Sequence, residues 1–194
     1  MRLKIVQAGE GVLRQPARPL NHGEILSPDI QRLIADMRET MRDAPGVGLA
    51  APQIGLSIQL AVVEDRPEAL RDLTPEQLAE RERNPVPFHV LINPIITRAS
   101  EERAEFFEGC LSIPGFAAVV PRSRIVCVEF LNERAEPCTL EARGWHARIL
   151  QHEIDHLQGN LYIDCMRARS FASVENVTRH WKGLSAAAVL SKLS

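Results

Sequence analysis

His152-Glu153-Ile154-Asp155-His156 sets two imidazoles four residues apart in a segment with helical periodicity. At about 100° per residue they fall within about 40° of each other on one helix face, where both can reach a single metal ion. Glu153 projects beside that face, displaced from the ligand direction but close enough to touch a water held at the ion. A catalytic zinc-type centre takes three protein ligands and keeps one position open for water, so the third ligand decides the class. The metzincin pattern would need a histidine at position 162, where this chain has Tyr162. A thermolysin-like enzyme takes a downstream glutamate, and Glu175 stands at a suggestive distance. Cys110, in Glu108-Gly109-Cys110-Leu111-Ser112, offers a thiolate suited to zinc or ferrous iron, and the small Gly109 before it lets the backbone approach closely. Cys127, Cys138 and Cys165 read as inert structural cysteines. Spacing alone leaves Glu175 and Cys110 both open.

Two histidines on one face require a rigid helix to hold them. Trp145–Leu157 supplies it: Gly144 and Gly159 bound the segment, and Trp145, Ile149, Leu150, Ile154 and Leu157 give it a buried side. Upstream, Ser27 caps and Pro28 opens a second helix over residues 28–43, with Ile30, Leu33, Ile34, Met37 and Met41 at helical spacing. Pro45-Gly46 ends it, and GVGLAAPQIG follows as a loop of small residues. Ile58–Val63 and Val90–Ile92 read as strands, as do Ile125–Val128 and Cys138–Leu140 around a turn at Asn132–Pro137. Between the first two strands, residues 65–88 read as a charged surface insertion in which Thr74-Pro75-Glu76-Gln77 has the form of a capping box. Residues 173–193 read as one C-terminal helix. The expectation is a single α+β domain over residues 1–194, with antiparallel strands packed around a central helix carrying HExxH and a further helix at the C-terminus.

The 194 residues, 45% hydrophobic and 25% charged, are enough for a real core and exclude wholesale disorder. A formal charge of −2 gives no general footprint for nucleic acid or an anionic membrane, and no specific nucleic-acid motif is present. No run approaches the roughly 18 apolar residues of a membrane span, and four cysteines without a CxxC pair favour a reducing compartment. With no transit-peptide pattern at Met1, the expected location is cytoplasmic, or an organelle if the chain is a trimmed mature form.

Three motifs now combine. GVGLAAPQ (Gly46–Gln53), EGCLS (Glu108–Ser112) and QHEIDH (Gln151–His156) resemble, in order and separation, the three signature motifs of peptide deformylases. The resemblance spans roughly residues 3–165. Trp145, the long segment 65–88 and the CLSIPGF run are more similar to the organelle-type branch than to the shorter bacterial enzymes.

The resemblance implies that Cys110, His152 and His156 bind one divalent metal, with Fe2+ the usual ion and Zn2+, Ni2+ or Co2+ able to occupy the site. It implies that Glu153 is the general base, taking a proton from water and giving it to the departing amine. Gln53 and the backbone N–H of Leu111 would donate to the oxyanion. Gly46, Val47, Gly48 and Gly109 would offer backbone to an extended peptide, and Trp145 and Ile149 would hold a methionine side chain. The implied substrates are formyl-methionyl nascent peptides, cut to formate and a free amine; a ribosome contact and a homodimer are left open. Two other readings stand beside this one: an HExxH metallopeptidase cutting internal bonds, and a non-catalytic metal-binding protein. GVGLAA also matches the loose dinucleotide loop GxGxxA, but a helix precedes it where a strand is needed. His22, His89, His146 and His180 have no ligand spacing and read as solvent or packing residues. Asp155 is a candidate to orient a helix neighbour or a ligand's second nitrogen, and Glu108 to pair with Arg148.

Overall fold

Ser27 accepts the Ile30 N–H on its hydroxyl at 3.3 Å and Pro28 takes the first helical position, so the expected helix begins and ends where the sequence signals place it, at Pro28–Asp43. The computed structural model describes residues 1–193. Its helices are α1 (His22–Ile25), α2 (Pro28–Asp43), α3 (Pro75–Glu80), α4 (Gly144–Leu157), α5 (Val174–Trp181) and α6 (Ala186–Leu193). Its strands are β1 (Gly48–Ala50), β2 (Leu60–Asp65), β3 (Val86–Ala99), β4 (Arg103–Cys110), β5 (Ile113–Ser123), β6 (Ile125–Leu131), β7 (Pro137–Arg143) and β8 (Ala172–Ser173). They form two antiparallel sheets, ordered β1-β2-β3-β6-β7 and β4-β5-β8.

Period-two alternation in β2 and β3 sorts their side chains into two layers. Ala61, Val63 and Leu91 pack with Ala147, Leu150 and Ile154 of α4. Leu60, Val62, Val90 and Ile92 pack with Ile34, Met37 and Met41 of α2. Both faces are covered, which is why β2 reads as an unbroken apolar run. The helix α4 touches β1, β2, β3, β6 and β7 of one sheet and β5 of the other, so it lies where the sheets meet. Its first residue, Gly144, has φ +55°, and a Cβ there would stand 2.4 Å from the Glu82 Cβ and 2.7 Å from the Arg81 carbonyl oxygen. Only glycine permits that turn and that approach.

Several boundaries differ from those read in the sequence. The tail is not one helix over 173–193: Lys182 leaves helical geometry and Gly183 takes φ +81°, so α5 and α6 are separate. Nor is 65–88 merely a surface insertion. Asp65, Leu70 and Val86 are buried, the first and last belong to strands, and Arg83 donates to both Asp65 carboxylate oxygens at 2.7 and 2.9 Å. The capping box at Thr74 does form, with its hydroxyl accepting the Gln77 N–H. Strand β3 runs past Asn93-Pro94 because an irregularity absorbs the proline: Asn93 adopts φ +50° and its side chain bonds the Leu20 N–H and C=O at 2.9 and 2.8 Å. The β4–β5 hairpin carried no alternation strong enough to be read. Part of the small-residue loop, Gly48–Ala50, becomes β1 by pairing with β2.

His146 and His89 pack edge-on with ring centroids 5.3 Å apart. Burial, with His89 beside it, lowers the His146 pKa from its ordinary 6.5 to about 4. The unfolded chain therefore binds this proton more tightly than the folded one, so the stabilisation is present above pH 6.5 and is lost as pH falls towards 4. His146→Phe should lose less Tm than the parent protein between pH 6.5 and 4, measured by thermal melts across that window. Equal slopes would show that this ring does not set the acid limb.

Candidate functional site

Strand β4 ends at Cys110 and α4 presents His152 and His156 to it. One ligand atom from each of the three lies within 4.8 Å of the others. The Cys110 Sγ is 3.3 Å from the His156 Nε2, and the two imidazoles meet edge-on with centroids 4.9 Å apart. The His152 Nδ1 is 3.1 Å from the Glu108 Oε2, which leaves its Nε2 for the cluster.

Glu108 is the hub behind the three. Arg122 donates Nε and Nη2 to its two oxygens at 3.0 Å each, Arg148 donates Nη1 at 2.5 Å, and a third nitrogen of Arg122 reaches Asp155. Burial works against an ionised Glu108, but the His152 hydrogen bond and the Arg122 guanidinium outweigh it and hold the carboxyl well below the usual carboxylate range. Burial likewise opposes charge on His152, yet hydrogen bonds to Cys110 and Glu108 raise its pKa well above the ordinary value. Burial, then the nearby His152 and Arg122, lowers His156 well below it. The cluster thus offers one sulfur and two imidazole nitrogens, with an ionised carboxylate behind His152. That donor set fits a borderline divalent metal such as iron(II) or zinc.

Glu153, 3% exposed, points from α4 towards β1, where a Cβ on Gly48 would lie 2.1 Å from its Oε1. The glycine is what lets the carboxylate occupy this position. Burial pushes the Glu153 pKa up to about 7, and its Oε2 has no hydrogen-bond partner among the described residues. Gln53 sits on a short helical turn after β1 and is also buried. The Ala50 N–H donates to its Oε1 at 2.9 Å, so its amide nitrogen turns inward, 3.5 Å from the Cys110 Sγ and 3.4 Å from the Ser112 Oγ.

A cavity of about 490 Å³ opens over the cluster. Among its lining are Gly46, Val47, Gly48, Gln53, Gly109, Cys110, Leu111, Trp145, Ile149, His152 and Glu153, which is every expected site residue except the deeper His156. Trp145 is packed as well as exposed to the cavity: the Arg83, Arg81 and Arg148 guanidiniums lie 4.9, 5.4 and 5.7 Å from its ring.

A sequence model of the polypeptide deformylase family matches residues 2–172. The chain belongs to the peptide deformylase family. It is 45% identical over 174 residues to the chloroplastic/mitochondrial peptide deformylase 1A of Arabidopsis thaliana, covering 90% of this chain and 65% of that protein. It is also 45% identical over 180 residues to peptide deformylase 3 of Streptomyces avermitilis, covering 92% of this chain and 78% of that one. The chain thus spans slightly less than two thirds of the length of the plant relative. A crystal structure of a class I type b peptide deformylase from Acinetobacter baumannii with Met-Ala-Ser bound superposes with a TM-score of 0.76 at 31% identity, covering 86% of this chain and 99% of that one. The likeness to organelle enzymes is therefore matched by an equal one to a bacterial enzyme.

Within this deformylase-family chain, Glu175 stands apart from the cluster, exposed on α5 and paired with Arg179 at 2.6 Å. Tyr162, where a metzincin would have its ligand, stacks its ring on His152 at 6.3 Å instead. His89 and His146 pack on each other, and Asp155 serves Arg122 rather than a histidine nitrogen. The Glu108–Arg148 pair forms, and Arg122 joins it with no motif in the sequence to mark it. Arg122 lies 14 residues from Glu108 on β5, where the register sets it opposite Ala104 and Glu108 opposite Ala118, so the pair forms only because the long Arg122 side chain reaches along the hairpin. Among the described residues no helix is long and apolar enough to cross a membrane.

Glu108→Gln should be costly, because it leaves two buried guanidiniums facing a neutral amide. Removing one partner of a buried ion pair costs about 3–5 kcal/mol. Urea unfolding of the metal-free protein should show a loss of that size, and a change below about 1 kcal/mol would mean that solvent reaches the network.

Proposed function

We infer that this chain removes the formyl group from the N-terminal formyl-methionine of nascent polypeptides, releasing formate and a free amine. The observation that carries the reading is that the Cys110, His152 and His156 cluster opens into the same cavity as two buried polar groups, the Glu153 carboxylate and the Gln53 amide. Cys110, His152 and His156 would hold one divalent ion, Fe2+ by family resemblance with Zn2+, Ni2+ or Co2+ as substitutes, which supplies Lewis-acid charge for activating water and polarising the formyl carbonyl.

The remaining work falls to side chains and backbone of this chain. Glu153 takes the proton of the attacking water on its unpartnered oxygen and returns it to the amine nitrogen as the C–N bond breaks. Gln53 donates its inward amide N–H to the developing oxyanion, held in that orientation by the Ala50 N–H on its other end. The Leu111 backbone N–H is the second donor, and losing one such donor typically costs about 2.7–4 kcal/mol of transition-state stabilisation. Gly46 and Val47 lead into the edge strand β1, which Gly48 opens, and Gly109 stands in β4 next to its last residue, giving an extended peptide backbone to lie against. Trp145 and Ile149 line the space for the methionine side chain.

The Acinetobacter relative supports the substrate, since Met-Ala-Ser is what remains of formyl-Met-Ala-Ser after deformylation. A metallopeptidase with Glu175 as third ligand is disfavoured by that residue's distant ion pair, and a purely metal-binding role leaves buried Glu153 and Gln53 without a purpose. The reading requires neither the ribosome nor a second copy of the chain, and the compartment proposed is the cytoplasm, or an organelle for a trimmed form.

Release of formate from formyl-Met-Ala-Ser, with no cleavage of its acetylated analogue, tests this reading. Glu153→Gln should keep its metal while kcat falls by at least about 10²-fold with little change in substrate affinity. Near-parental turnover by the metal-loaded variant would refute the proton shuttle. Cys110→Ser replaces a charged thiolate with a neutral hydroxyl, so elemental analysis after anaerobic purification should find well below one metal ion per chain. Full stoichiometry at native affinity would move the third ligand elsewhere.

A further inference from the structure

Phe116, Phe171 and Val174 are 43, 40 and 48% exposed, and they gather in one place. The register explains why: β8 pairs with β5, setting Phe116 opposite Ser173, so that Phe171 and Val174 flank the same point. The two phenyl rings stack with centroids 5.1 Å apart and planes 6° from parallel. Stacking of this kind covers one face of each ring and leaves the others in water. Three of the eight exposed large apolar side chains among the described residues thus form one patch, the arrangement that marks a contact surface on soluble proteins.

The patch adjoins the cavity, because Phe116 and Val174 both line it. A polypeptide whose first residue sits over the Cys110, His152 and His156 cluster must leave by the cavity mouth. Val174 lies beyond the residues that the family model matches, so part of this rim is contributed by the chain's own C-terminal segment.

We propose that Phe116, Phe171 and Val174 form a shelf that receives a bulky apolar side chain from one of the two residues following methionine, giving the enzyme a preference for such substrates. This rests on the reading that the cavity holds the formyl-methionine end. The shelf side chains offer no hydrogen-bonding or charged partner, so an aspartate placed there loses water without compensation. Hydrophobic contacts of this size discriminate at the lower end of the 10–200-fold range found in enclosed pockets, about tenfold.

The test uses two peptide series, formyl-Met-X-Ser and formyl-Met-Ala-X, with X as Ser, Asp, Leu or Phe, and reads kcat/KM for the metal-loaded enzyme. In one series Phe and Leu should exceed Asp by about tenfold. That ratio should fall below about threefold in Phe171→Ser and in Val174→Ser, which perturb different elements. It should persist in Phe171→Leu, which keeps apolar surface, and in Ile95→Ser, which alters an exposed residue outside the cavity lining. A parental enzyme indifferent to X, or a ratio unchanged in both serine variants, overturns the shelf. If no formyl peptide yields formate, the deformylase reading fails instead. Calorimetric binding of Met-Ala-Ser against Met-Phe-Ser and Met-Ala-Phe then decides the shelf by itself: tighter binding of a phenylalanine peptide that is lost in Phe171→Ser supports it, and equal binding refutes it.

Discussion

A carboxylate buried among two guanidiniums and an imidazole joins the parts of this protein that would otherwise be free to slide. Glu108 comes from β4, Arg122 from β5, and Arg148 and His152 from successive turns of α4. Removing these charges from water is unfavourable unless every one is paired in good geometry, so the network forms only when the hairpin and the helix are in register. Cys110 lies two residues beyond Glu108 on the same hairpin. The constraint that satisfies Glu108 therefore also sets the distance between the sulfur and the two histidines.

A second constraint works by space rather than charge. Glu153 leaves α4 towards β1 and needs the volume that a side chain at 48 would fill. β1 in turn is held by β2, whose two faces pack on α4 and α2. Gln53 follows on the next turn, its orientation dictated by the Ala50 backbone. On the opposite side, the charged stretch after β2 brings Arg81 and Arg83 against Trp145 and packs its backbone on Gly144, so it helps shape one wall of the cavity.

Local signals were legible where the physics is local. Ser27-Pro28 starts a helix because a hydroxyl satisfies an orphan N–H and proline costs nothing there. Thr74 and Gln77 cap α3 for the same reason, and the α4 periodicity survives because one side of it is buried along its length. The signals failed where distant partners decide. β4 mixes polar and aromatic residues, the apolar run Ala117–Val120 of β5 is buried with Tyr162 from beyond α4, and the proline in β3 is tolerated only because Asn93 finds the Leu20 backbone. The break between α5 and α6 falls at a glycine whose left-handed turn carries no obligatory signal in a run of otherwise helix-compatible residues.

The sequence by itself determined the chemistry on offer: two imidazoles on one helix face with a carboxylate beside them, a cysteine in a glycine-led motif, and a glutamine in a loop of small residues. Those follow from residue type and helical spacing, which are properties of neighbours along the chain. Spacing left Cys110 and Glu175 both open and the motif resemblance pointed to Cys110; the tertiary structure set its sulfur beside the histidines, assigned Asp155 to Arg122 and brought Phe116 against Phe171. Each of these is a contact between segments far apart in sequence. Strand register and the pairing of buried charges select such contacts, and neither can be read from one segment alone.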